Sequence, residues 1–252
     1  MRLCYYTPSK HLISTLQNKH LKVSRFNKCN DIFELGNFRI PYDTDLTKRQ
    51  EARRPIRDWS NRMDAQYGLI CFSDNHYSPL MWAHYADRNR GACLVFDYHP
   101  EKSRGKLVRV EYKASREEIL PDETVGLPET NIFGLSDAEL QRCFATKQSQ
   151  WSYEKEHRLI VNLEEMKTER DNHFFDWGNS LKLKEVYVGS NPNICTKALE
   201  TSVDGRVILK QKRAGFGEYQ VVTQQDKKLW KAAKCSSKSC CLSKKSNDEG
   251  CA

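Results

Sequence analysis

The densest concentration of chemistry-bearing side chains in this chain is Trp151-Ser152-Tyr153-Glu154-Lys155-Glu156-His157-Arg158. With a strand starting at Glu154, the two-residue period puts Glu154, Glu156 and Arg158 on one face. Tyr153, His157, Leu159 and Val161 then point the other way. Two carboxylates and a guanidinium on one sheet face make, at their plainest, a solvated row of ion pairs. The same groups also suit a site where a carboxylate bonds a sugar hydroxyl or stabilises positive charge at a glycosidic carbon. A second concentration is Met81-Trp82-Ala83-His84-Tyr85-Ala86-Asp87. Trp82 and Tyr85 read most simply as core aromatics and His84 as a structural histidine. With the strand that follows, they would frame a base-stacking pocket.

These residues need a scaffold, and the hydrophobic pattern supplies one. Strands are expected at Leu3–Tyr6, Leu21–Ser24, Gly68–Ser73, Gly91–Asp97, Leu107–Tyr112 and Glu156–Leu163. Further strands are expected at Val186–Gly189, Val207–Leu209 and Tyr219–Val222. Helices are expected after Pro8, with Ser9 as cap, over Leu46–Gln66 despite Pro55, and over Pro79–Asp87. Another is expected over Asp137–Lys147, where Ser136 and Glu139 have capping-box spacing, and one near Asn193–Thr201. Phe26–Leu35 and Ala114–Gly134 read as turn-rich or looped, and Gly215-Phe216-Gly217 as a turn between strands. Strands separated by short helices imply an α+β fold with a mixed sheet.

Residues 1–223 therefore read as a single α+β domain, and 224–252 as a disordered Lys/Ser/Cys-rich tail with a short helix near Lys227–Ala233. The net charge is +8, but from Asp226 onward seven lysines face three acids, so half the excess sits in the tail. A mildly basic body is thin support for nucleic-acid binding. No run approaches the roughly 18 apolar residues of a membrane span. No secretory pattern opens the chain, so a cytoplasmic location and reduced cysteines are expected. Cys4, Cys71, Cys93, Cys143 and Cys195 stand singly in apolar or helical patterns. Cys235, Cys240, Cys241 and Cys251 lack CxxC spacing, and no metal is expected.

The order of Tyr5-Tyr6, Phe26…Asn30-Asp31-Ile32-Phe33-Glu34, Cys71-Phe72-Ser73, Leu80–Asp87, Gly91…Phe96-Asp97 and Trp151–Arg158 resembles the bacterial domain-of-unknown-function 2971 family. Ile32 stands where that family has proline. A more distant resemblance is to ADP-ribosyltransferase folds. It implies a mainly antiparallel, split sheet and NAD as substrate, with Glu156 and Glu154 as catalytic carboxylates. It further implies that Tyr6, Trp82, His84, Tyr85 and Arg158 hold the dinucleotide. The acceptor would be a protein or nucleic acid, as in a toxin or phage-defence enzyme. The competing reading is a non-enzymatic nucleic-acid- or protein-binding module that uses the basic tail.

Overall fold

The computed structural model describes residues 1–40, 45–119 and 132–231. In chain order the first half runs β1 (Arg2–Thr7), α1 (Ser9–Asn18), β2 (His20–Val23), β3 (Phe38–Arg39), α2 (Leu46–Gln66), β4 (Tyr67–Ser73), α3 (Pro79–Tyr85) and β5 (Ala92–Tyr98). Then come β6 (Gly105–Arg109), β7 (Glu111–Lys113), β8 (Glu117–Glu118), α4 (Asp137–Phe144), β9 (Thr146–Gln148) and β10 (Glu156–Asn162). The last are β11 (Lys167–Glu169), β12 (Asn172–Asp176), β13 (Leu181–Val188), α5 (Thr196–Thr201), β14 (Ile208–Ala214) and β15 (Val221–Thr223). This is the expected α+β class, with mainly antiparallel strand pairs. The described residues divide into two compact, discontinuous units: residues 20–74 with 98–181, and residues 2–19 with 75–97 and 182–231.

In the first unit β10 lies antiparallel between β4 and β6. Leu69, Cys71 and Ser73 face Ile160, Arg158 and Glu156 across the pair, so these side chains share one face. The apolar end of that face, Leu69 and Ile160, is buried with Trp59 and Met63 of α2 and with Leu140, Cys143 and Phe144 of α4. Helix α2 spans the expected residues. Asp45 caps it by accepting from the Thr47 and Lys48 amides, and the buried residues Trp59 and Met63 lie on its inner stripe. Helix α4 begins with the expected capping box. It stops at Phe144, short of the expected Lys147, because Thr146–Gln148 extends to pair with β7. The strand expected over Leu107–Tyr112 is broken at Val110, whose amide donates to the Glu156 carbonyl. Strands β2, β12 and β11 form a small antiparallel sheet in which His20 stacks on Phe174. The second and third strands of this sheet had no clear signal in the sequence.

In the second unit the strand order is β15-β14-β13-β5-β1. Helix α1 starts after Pro8. Ser9 does not cap it; its hydroxyl donates to Asp87 at 3.0 Å. Helix α3 is capped by Ser78, with Met81 and Trp82 buried. Asp87, Arg88 and Asn89 then all take positive φ. A side chain at Gly189 would put its Cβ 2.0 Å from the Asn89 carbonyl oxygen, so only glycine lets these segments approach. Cys195, half-buried ahead of α5, is disulfide-bonded, contrary to the expectation that it stays reduced. The tail beyond Lys231 lies outside the described residues, and the expected helix near Lys227 is a single 3-10 turn over Lys227–Leu229. No helix among the described residues is long and apolar enough to cross a membrane.

Candidate functional site: a buried cluster of carboxylates and cations

Glu156 opens β10, and the two-residue period carries Arg158 to the same face. Glu154 reaches the same place by another route than the expected strand. It ends a 3-10 turn over Ser149–Glu154, and Lys155 takes a left-handed conformation that swings the chain into β10. All three side chains are buried, at 3 %, 3 % and 1 % exposure, so the solvated ion-pair row is excluded.

Two further residues complete the cluster, and sequence reasoning did not assign them a role there. Lys147 projects from β9, its ammonium 2.6 Å from Glu154, 2.9 Å from Glu156 and 3.7 Å from Glu34. It also lies 5.2 Å from the Trp151 ring centroid. Glu34 comes from the turn that Asp31 ties by accepting from the Phe33 amide. The Arg158 guanidinium donates to Glu156 at 3.0 Å, to Glu34 at 2.7 Å and to the Phe144 carbonyl at 2.6 Å. Every nitrogen of that guanidinium is engaged, as a buried arginine requires. Placed within an expected helix and a turn, Lys147 and Glu34 carried no signal of a shared site.

The two carboxylates on Arg158 titrate in opposite directions. Burial alone would raise Glu156, but Arg158 and then Lys147 outweigh it and hold the group well below the usual carboxylate range. For Glu34 burial prevails over both cations, and nearby Glu156 adds to it, so its pKa is raised. Its Oε2 is buried without a hydrogen-bond partner. Lys147 is raised: burial opposes its charge, but Glu156, Glu34 and Glu154 overcome burial and the repulsion of Arg158. Cys71, directly opposite Arg158, is exposed and hydrogen-bonds Glu156. Its thiol is pushed well up by desolvation and then by Glu156. As a protonated thiol it is a hydrogen-bond donor to Glu156 rather than a nucleophile. The Tyr112 hydroxyl accepts from the Glu156 amide at 2.8 Å, and burial pushes that phenol up to about 12.

The remaining expected site residues belong to the second unit. Tyr6 is buried, edge-on to Trp82, and its hydroxyl donates to the Asn75 carbonyl. Trp82 is fully buried with its indole N–H on the His76 carbonyl. His84 is exposed and Tyr85 half-buried, their rings 6.2 Å apart. The structure thus brings Glu154, Glu156 and Arg158 together within one unit, and sets Tyr6 and Trp82 in the interior of the other.

A family model matches residues 81–159. Its description is "Protein of unknown function (DUF2971)", and the matched stretch runs from α3 into β10, so both aromatic and charged concentrations fall within it. No curated protein and no solved structure matches the chain.

Proposed function

We propose that the cluster in the first unit is an active centre that breaks an N-glycosidic bond, with NAD as the substrate to test. The observation that carries this reading is the division of labour between two carboxylates on one arginine. Arg158 and Lys147 hold Glu156 below the usual carboxylate range, and burial raises Glu34, which makes it the stronger base of the two. Such a split supplies a fixed negative charge and a proton acceptor side by side. In this reading substrate approaches over Cys71, the accessible neighbour of Glu156. The negative charge of Glu156 stabilises the cationic ribosyl carbon as the C–N bond breaks and its electron pair leaves with nicotinamide. Water then forms the new C–O bond and gives its proton to Glu34. Both Glu156 oxygens are engaged by Arg158 and Lys147 in the resting arrangement, so catalysis requires Lys147 to yield. Arg158 and Glu154 are positioning residues here, and the fate of the ribosyl group, to water or to a macromolecular acceptor, is a second question.

The test is nicotinamide release from NAD by the full chain, alone and with cell extract. Glu156→Gln is expected to lower the rate about 10²–10³-fold, as losing a key electrostatic contact does. Because that variant alters a buried ion network, Cys71→Met provides a second measurement: it adds bulk at the exposed neighbour of Glu156, leaves every charge in place and should also slow release. Wild-type protein that releases no nicotinamide under either condition would overturn the proposal.

A further inference from the structure

Lys212, on β14 in the second unit, is only 1 % exposed. No carboxylate among the described residues lies within ion-pair distance of it. Its ammonium instead meets the His76 Nδ1 at 2.7 Å and the Thr223 hydroxyl at 3.3 Å. It lies 4.1 Å from the Tyr187 ring centroid and 5.1 Å from that of Tyr77. His76 packs against both rings, with centroids 4.0 Å from Tyr77 and 4.3 Å from Tyr187. The nearby acid, Glu185, is occupied by the Tyr187 hydroxyl at 2.6 Å. A structural lysine buried this deeply would normally have a carboxylate partner, as Lys147 does three times over.

We propose that Lys212 is a reactive amine that forms an imine with a small carbonyl compound, and that His76 is the group that relays its proton. Burial, which outweighs the nearby Cys93, Cys4 and Glu185, brings the ammonium down to about 8. Burial and Lys212 itself lower His76 to about 4, so its imidazole is neutral and its Nδ1 can accept. The ammonium gives a proton to His76, and the amine's lone pair then attacks the carbonyl carbon to give a carbinolamine. One amine proton passes to the carbinolamine oxygen, His76 returns its proton to the departing hydroxyl, water leaves and the C=N bond forms, so ammonium plus aldehyde becomes protonated imine plus water. Tyr77, about half exposed, is the wall through which a small aldehyde would enter.

The experiment treats the folded full chain at neutral pH with acetaldehyde and cyanoborohydride, which reduces the imine to a stable alkylamine, and maps the lysines by mass spectrometry. Lys212 should be alkylated about tenfold or more faster than half-buried Lys210 on the same strand, because lowered pKa leaves more free amine. His76→Gln should slow labelling at Lys212 and leave Lys210 unchanged. Lys212 protected while the surface lysines react would overturn the proposal. If the His76 variant fails a thermal-unfolding check, the wild-type ratio of Lys212 to Lys210 decides alone.

Discussion

Arg158 holds three buried partners at once. It neutralises Glu156, bonds Glu34 and satisfies the Phe144 carbonyl. Replacing one partner of a buried ion pair leaves the other charges without compensation, which typically costs about 3–5 kcal/mol. Arg158→Met should therefore lower stability by about that amount in denaturant titrations. A loss below 1 kcal/mol would mean that the cluster is wetter than its burial indicates. The alternation of Glu156 and Arg158 was legible in the sequence because a strand's period is local. Lys147 and Glu34 were not legible as partners. They reach the cluster through long-range packing, and neither spacing nor composition records that convergence.

The helices illustrate how much of an element's identity is local. The capping box at Ser136 and the apolar stripe Ile56, Trp59, Met63 place α4 and α2 from their residues alone. Pro55 tests the rule from the other side. It sits exposed inside α2, lacks an amide hydrogen and leaves a carbonyl one turn earlier without its donor. Relieving that defect is worth about 3 kcal/mol, less about 1 kcal/mol for the extra freedom of the unfolded chain. Pro55→Ala is expected to stabilise the protein by about 2 kcal/mol in thermal or chemical unfolding. A destabilised variant would show that the helix needs a kink there. The end of α4 was misjudged for the opposite reason: pairing of Thr146–Gln148 with β7 overrides a helical continuation that the local residues permit.

At the scale of the whole molecule, Lys212 makes stability depend on pH. Its folded pKa, about 8, lies below its ordinary value of 10.5, so between those values the unfolded chain binds more protons. Stability should therefore rise as pH increases through that window, and the penalty on the charged form is fully present below it. Burial lowers the pKa, helped by Lys210, while Cys93, Cys4 and Glu185 oppose the shift; the His76 acceptor and the faces of Tyr77 and Tyr187 surround the charge without offsetting burial. Lys212→Met should flatten the rise between pH 8 and 10.5 in a series of urea melts. An unchanged slope would assign the effect to other groups.

The α+β class, most strands, four helix starts and the face shared by Glu156 and Arg158 followed from the sequence by itself, because period, capping and turn chemistry act between near neighbours. Tertiary structure alone decided that this charged face is buried and that Glu34 and Lys147 join it. It also alone brought Lys212 against His76. Burial and charge pairing between residues far apart in the chain are properties of the packed molecule, where desolvation and Coulomb attraction are settled together.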